Sequence, residues 1–412
     1  MKRTRPIVLG AALTSVTLVA ACAGAGEDTE VSSLDLWLPP HGDFSNASEW
    51  DPILAAFEEE HGIDVNVRMI PWENYEEAYL TGITGGEGPD VGLMYAEMIG
   101  DYHAQGALVP FDEYLPNSDA PDYLYLDQGQ VDGEQIAVPL VVGGARVLYY
   151  NADLLAQAGI EEPPGTWDEF LEAGRQLRDA GITPAEQAWS GHPGILNDNF
   201  YPMLWQAGGE LFTEDGSATA FNSPEGVAAA EFLWELRDSE ILSEAVTSLV
   251  QGDVQSNFAN GQTAFMFGSD AHFPTFDAGD FELGLIGPLE GETRETFIAA
   301  DALVLLEQCP DRQLCTDLVT YITSPDQMAE FHELAPYPPI TAGAEYVAPQ
   351  IFEEMYAQSD LFNGLPIVAG SSAVYNTLLT NLQQMMLGEK TPEQALADAA
   401  TSGDQALETA QQ

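Results

Sequence analysis

Between residues 34 and 106 the hydrophobic period switches repeatedly between two and about 3.6, and this alternation restricts the fold more than any other feature. Leu34-Asp35-Leu36-Trp37-Leu38 alternates and runs into Pro39-Pro40, which predicts a strand. Ile53, Leu54 and Phe57 share one helical face, with Gly62 just past its end. Ile63 to Ile70 alternates again; a helix over Tyr75 to Ile83 stops at Gly85-Gly86. Val91-Gly92-Leu93-Met94 reads as a short buried strand, and a helix near Met98 to Gln105 ends at Gly106. This βαβαβ order predicts an α/β architecture, a parallel sheet with covering helices. Later helix starts carry capping-box spacing: Thr166 with Glu169, Ser324 with Gln327, and Thr391 with Gln394. Val138 to Tyr150 reads as extended chain crossing between regions, and Gln262–Gly268 and Phe281–Gly287 as further strands.

The N-terminus follows a different logic. Lys2, Arg3 and Arg5 precede an apolar or small run from Ile7 to Ala21, too short to span a bilayer comfortably. Val19-Ala20-Ala21-Cys22 matches the bacterial lipobox, in which the cysteine thiol takes up a diacylglyceryl group. An ordinary secreted protein with a chance cysteine at the boundary is the alternative. Two acyl chains on Cys22 suffice for stable anchoring without a transmembrane helix. Residues 1–21 are then a signal peptide, and 22–33, small and then acidic, a flexible tether. The expected location is extracytoplasmic, at the outer face of the cell membrane.

Charge narrows the partners. The chain has 67 acidic and 11 basic residues; without the three leader cations, 8 bases remain and the formal charge is −59. That balance argues against nucleic acid, whose phosphates need a basic footprint, and against docking on anionic lipid through the protein surface. It fits a saline or alkaline habitat, or a general compositional bias. With 45% apolar residues the body is globular, and it is long enough for two lobes with real cores. Cys309 and Cys315 are a close pair, either a disulfide or two inert thiols, and structural in both cases. The six histidines lack ligand spacing, and no HExxH, GxSxG, P-loop or EF-hand motif occurs, so neither metal nor cofactor is expected.

Gly88-Pro89-Asp90-Val91, Asp101-Tyr102 and Gln105-Gly106-Ala107-Leu108-Val109-Pro110 resemble the first lobe of extracytoplasmic solute-binding proteins of the maltose-binding class. Val147-Leu148-Tyr149-Tyr150-Asn151 and Pro164-Gly165-Thr166-Trp167-Asp168-Glu169 are similar to that family's crossing into a second lobe. Trp205 to Leu211, Phe258 to Ala264 and Gly388 to Leu396 extend the likeness over nearly the whole mature chain. The resemblance implies two α/β lobes of the periplasmic-binding-protein-like fold, joined by several hinge crossings around a ligand cleft. It assigns 34–143 and 303–338 to the first lobe, and 144–302 and 339–412 to the second. It further implies a monomer that binds a carbohydrate and delivers it to ABC permease subunits in the membrane.

Position by position, the resemblance nominates a site. His41 and Asp43 follow the first strand, and Glu97 lies where the family places a hydroxyl-binding carboxylate. Arg146 stands in an apolar crossing segment, where a charge needs a partner: ligand, or a structural salt bridge. Asp198 and Asn199 fall at a second-lobe cleft position, and Trp189 nearby is a stacking ring or a core residue. Gly268-Ser269-Asp270-Ala271-His272-Phe273 stands where the family usually has glycine and then tryptophan, making Asp270 and His272 candidates for added hydrogen bonding. Tyr375, thirteen residues before Gly388, has the spacing of a stacking aromatic; Leu379 and Leu382 share part of its helical face, so a core tyrosine is the alternative.

Two rival readings remain open. A glycoside hydrolase needs two carboxylates across a cleft, a signal without specificity among 67 acids. The same fold holding a peptide or polyamine is the other; a phosphorylated solute would need clustered cations that the chain lacks.

Overall fold

The computed structural model describes residues 31–41, 44–131, 133–243, 245–335, 337–344, 349–358 and 361–410. Cys22 and Asp43 lie outside the described residues. The principal strands are β1 Ser33–Leu38, β2 Asp64–Met69, β3 Val91–Met94, β4 Leu108–Val109, β5 Ala137–Gly143, β6 Arg146–Asn151, β7 Phe265–Ser269, β8 Leu283–Ile286 and β9 Ala299–Leu306. The helices that matter for the site are α1 Asp51–His61, α2 Tyr75–Gly85, α3 Ala96–Ala104, α4 Trp167–Asp179, α5 Arg312–Ile322, α6 Pro325–Leu334, α7 Ser371–Met386 and α8 Pro392–Ala410.

The first sheet has the order β2-β1-β3-β9-β4, with β5 also on β9. The parallel pairing expected from the βαβαβ order holds for β2-β1-β3. β9, arriving from some two hundred residues downstream, inserts antiparallel to β3, β4 and β5. Period two explains why both faces are covered. Leu34, Leu36, Leu38, Leu303 and Leu305 pack on one side with Phe57 and Leu318, while Trp37, Val304 and Leu306 pack on the other with Tyr75, Tyr79 and Ile99.

A second sheet, β8-β6-β7, is fully antiparallel. It belongs to a separate core built on Phe170, Leu204, Leu233, Leu382 and Leu396. The chain passes from β5 in one sheet to β6 in the other through Gly144 at φ +71°, a left-handed conformation that glycine adopts without steric cost. The extended stretch Val138–Tyr150 is therefore two strands of two sheets, with the crossing between them.

Details of the sequence reading are adjusted. The boundary drawn between 302 and 303 falls inside β9: Ala299 already pairs with Gly143. Ile340 packs in the first core and Thr341 bridges to Tyr123, beyond the break placed at 339. The capping boxes at Thr166 and Thr391 form, whereas Ser324 makes no side-chain cap and leaves Pro325 to start α6. Cys309 and Cys315 are joined by a disulfide between β9 and α5.

The two lobes meet where α3 approaches the chain leading into α7. The Gly370 amide donates to Asp101 Oδ1 at 2.6 Å. A Cβ on Gly100 would stand 2.7 Å from the Val368 carbonyl oxygen, so only glycine permits this approach.

A candidate ligand cleft between the lobes

On the first-lobe side the cleft wall is built from the ends of β1 and β3, the start of α3 and the middle of β9. His41 follows β1; its ring is buried, with Nε2 3.3 Å from Asp301 Oδ2, and lies edge-on to Trp72 and Tyr337. Asp301 is the lone acid of the apolar strand Ala-Ala-Asp-Ala-Leu-Val-Leu-Leu. Its neighbours Ala300 and Ala302 line a cavity of about 400 Å³ with no charged residue in its wall. Glu97 occupies the first turn of α3. Burial, then the negative charges of Asp301, Glu76 and Asp101, push its carboxyl up to about 8. Nearby, the Tyr95 hydroxyl donates to the Glu76 carboxylate.

The second-lobe wall is arranged differently. Arg146, the first residue of β6, places Nε 2.5 Å from Asp198 Oδ1, donates to the Gly144 carbonyl and lies over the Phe297 ring at 4.8 Å. The other Asp198 oxygen accepts from Gln251 Nε2 at 2.7 Å. The structural salt bridge left open in the sequence is thus present, and it joins two of the nominated residues. Asn199 is engaged elsewhere: its amide is buried and donates to the Ala188 carbonyl at 2.6 Å, fastening the short helix Leu196–Asn199 to the chain before it. Trp189 is a buried core residue bonded to Gln187.

Asp270 and His272 follow β7. Tyr356 donates to Asp270 Oδ2, and burial raises the Asp270 carboxyl to about 6, against the pull of that bond and of Arg146. His272 accepts from the Ser269 amide at 3.1 Å and faces the Gln255 amide at 2.9 Å. Burial lowers its pKa to about 4, so the ring is neutral at pH 7.

Tyr375 requires a correction. Its ring is 1% exposed and sits edge-on between Tyr201 and Phe212, so it offers no open face for stacking. The cause is helical spacing: Leu379 and Leu382 carry the same face of α7 into the second core. The hydroxyl is another matter. Neither Tyr375 Oη nor Tyr201 Oη has a hydrogen-bond partner among the described residues, though both are buried. Both phenols are held well above their usual pKa by burial, and both feel the Glu97 charge from the opposite lobe.

Sequence reasoning missed Asp301, Tyr201, Tyr337 and Tyr356. For Asp301 the signal existed, since it is a charge inside an apolar strand, the same argument that singled out Arg146. The tyrosines carried no such mark, because a core tyrosine and a cleft tyrosine have the same local pattern. Among the described residues no group of three or more His, Cys, Asp or Glu is placed to hold a metal ion. The arrangement suits reversible binding: convergent polar groups from two bodies, with aromatic walls and a hinge beneath.

Comparison with known proteins agrees with this geometry. The model of the bacterial extracellular solute-binding protein family matches residues 53–354. The sn-glycerol-3-phosphate-binding periplasmic protein UgpB of Salmonella typhimurium is 24% identical over 443 residues, covering 96% of this chain and 97% of the relative. A solute-binding protein of an ABC transporter from Thermotoga lettingae TMO, solved with alpha-D-tagatose, superposes with a TM-score of 0.79 at 22% identity, covering 91% of this chain and all of that one. Maltose-bound MalE3 of T. maritima gives a TM-score of 0.77 at 22% identity, covering 92% of this chain and 100% of that one. At this distance the structural likeness establishes the fold, two α/β lobes around a cleft. The chain belongs to the bacterial extracellular solute-binding protein family.

Proposed function

We propose that the protein is the receptor of an ABC importer, that it captures a sugar or oligosaccharide between its lobes, and that lipid on Cys22 tethers it outside the membrane. The observation that carries the carbohydrate reading is that Tyr201 and Tyr375 of the second lobe are buried with hydroxyls that have no hydrogen-bond partner among the described residues, within electrostatic reach of Glu97 on the first lobe. Among the described residues, these are polar groups from opposite lobes. Leaving a buried hydroxyl unsatisfied costs about 1–3 kcal/mol, and a polyol would supply the missing partners. His41 with Asp301, and Asp270 with Tyr356, flank this group. Asp43 and His272 are secondary candidates, and Asn199 serves as a loop tie.

Glycerol phosphate, which UgpB binds, is a poorer fit. A phosphate needs free guanidinium, ammonium or helix-terminal amides, and Arg146 is already committed to Asp198. The hinges of this reading are the crossings at 143–146 and 297–299 and the segment after Thr341. Solute bound to both lobes would bias an open–closed equilibrium toward closure, and the closed form would dock on the permease. A thermal-shift panel of mono- and oligosaccharides tests the reading: at least one should raise the melting temperature. No shift from any sugar alongside a clear shift from glycerol 3-phosphate would overturn it, and turnover of a labelled oligosaccharide would replace it with the hydrolase. Incorporation of labelled fatty acid, lost in Cys22→Ala, tests the anchor.

A further inference from the structure

The cavity of about 400 Å³ lies between two parts of the chain and has no charged residue in its wall. On one side it is lined from α3, β5 and β9 of the first lobe. The chain from Tyr356 to Ile367 lines the other, where Leu365 packs on the second core. Two of the hinge crossings border it, through Val142 and Ile298. Tyr356 connects it to the second-lobe wall. Its ring stacks on Phe362, with centroids 5.2 Å apart and 26° between the planes. Its hydroxyl accepts from the Ala145 amide at 3.3 Å and donates to Asp270.

One tight turn supplies the polar part of the wall. The 3-10 helix Leu126–Gly129 brings Tyr125 and Gln128 together, and the Gln128 backbone N–H donates to the Tyr125 carbonyl at 3.2 Å. Gly129 lets this turn lie against β5, because a Cβ there would overlap the Ala137 carbonyl oxygen. Gln128 and Gln130 therefore stand on either side of a fixed point, and both line the cavity. Their side chains are exposed, and neither carboxamide is hydrogen-bonded to another described residue. The same holds for the half-buried Tyr125 hydroxyl. The wall thus combines flat apolar faces with three available polar ends.

A sugar has the matching chemistry: apolar C–H faces, and a rim of hydroxyls that need fixed polar partners. A charged substituent drawn into this space would give up water without meeting a counter-charge. The volume lies near the lower end of the roughly 300–1,000 Å³ of small-molecule sites, which suits one or two rings. Resting on the carbohydrate reading, we infer that this cavity seats an uncharged mono- or disaccharide unit of the solute, and that Tyr125, Gln128 and Gln130, rather than carboxylates, select it through its hydroxyls. A phosphate, carboxylate or ammonium group on that unit is excluded.

Calorimetry on the full mature chain tests this with D-glucose, D-galactose, maltose and lactose, set against the 6-phosphates, uronates and 2-amino-2-deoxy forms of the two hexoses. A neutral sugar should bind at least about tenfold tighter than the charged forms. Gly364→Phe fills the cavity from its wall, where a Cβ meets only the Ile298 carbonyl oxygen, at 3.7 Å. It should weaken the bound sugar at least about tenfold while leaving the melting temperature of the free protein unchanged. Gln128→Ala and Gln130→Ala, at exposed positions, should each weaken it about three- to tenfold, and they decide the matter should Gly364→Phe misfold. A charged form that binds best, or a neutral sugar whose affinity survives these substitutions, overturns this inference and leaves the carbohydrate reading standing. If neither these sugars nor the wider panel binds, the carbohydrate reading itself fails.

Discussion

The two walls of the cleft use charge in opposite ways. On the second lobe Arg146 and Asp198 are locked to each other, with Gln251 and the Gly144 carbonyl taking the remaining bonds. On the first lobe Glu97 stands among like charges with no hydrogen bond to another side chain among the described residues, and its carboxyl is pushed up to about 8. The difference teaches that a buried charge is not a binding residue by virtue of burial. A closed pair shapes the wall and holds β6 to the short helix carrying Asp198, whereas a charge left open is available to a solute.

The sharpest way to break this contrast is to open the closed pair. Arg146→Ala strands Asp198 in a low-dielectric site and should cost about 3–5 kcal/mol in urea unfolding. A loss below about 1 kcal/mol would mean that Asp198 reaches solvent and that the second wall is not pre-assembled.

Closure itself comes next. Gly100→Ala sets a Cβ 2.7 Å from the Val368 carbonyl oxygen, at the contact between the lobes. Overpacking of this kind costs about 1–3 kcal/mol, so ligand affinity should fall about tenfold while the unliganded melting temperature changes little. Unchanged affinity would show that the bound form does not bring α3 against the chain before α7.

The open hydroxyls predict a gain where an ordinary tyrosine predicts a loss. Tyr375→Phe removes an unsatisfied oxygen and should stabilise the free protein by about 1 kcal/mol while shrinking the ligand-induced thermal shift. Tyr75, whose hydroxyl donates to the Leu93 carbonyl at 2.9 Å, provides the control: Tyr75→Phe should lose about 1 kcal/mol in the same measurement. Equal effects from the two would erase the distinction between core and cleft.

The smallest effect is the pH dependence, because Glu97 is only partly buried and solvent trims the term. A carboxyl whose folded pKa is raised binds its proton more tightly folded than unfolded. Stability from Glu97 is therefore greatest below the unfolded value and is lost as pH climbs from about 4.5 to about 8. Asp270 adds the same sign between about 4 and 6, and His272 opposes it there, because its lowered pKa makes the unfolded chain the better proton binder. Subtracting the stability curve of Glu97→Gln from that of the unaltered protein isolates the term. A flat difference would place Glu97 in ordinary solvent.

Particular residues mark how far the sequence could be read. The strand at Leu34–Leu38, the helix at Ile53–Phe57 and the strand at Val91–Met94 were legible because period-two and period-3.6 patterns act within a few residues. Glu97, Arg146, Asp198 and Asp270 were nominated; Arg146 pairs with Asp198, and Asp270 accepts from Tyr356. Asn199 and the Tyr375 ring were nominated equally and turn inward. Nothing local separates these outcomes: Asn199 binds a carbonyl eleven residues back, and Tyr375 lies on a helix whose two faces both carry apolar residues.

The sequence by itself determined the kinds of element, their βα order, the acidity and the N-terminal pattern ending at Cys22. All of these are properties of short windows or of composition. Only the tertiary structure decided which charges meet. Arg146 finds Asp198 across 52 residues and His41 finds Asp301 across 260, while β9 enters the first sheet between strands made far earlier. The physical reason is that hydrophobic periodicity is written into each segment, whereas pairing of charges depends on which segments the hinges bring together. Glu97 shows the limit most plainly: its charge can be read from one letter, but its isolation exists only once two lobes surround it.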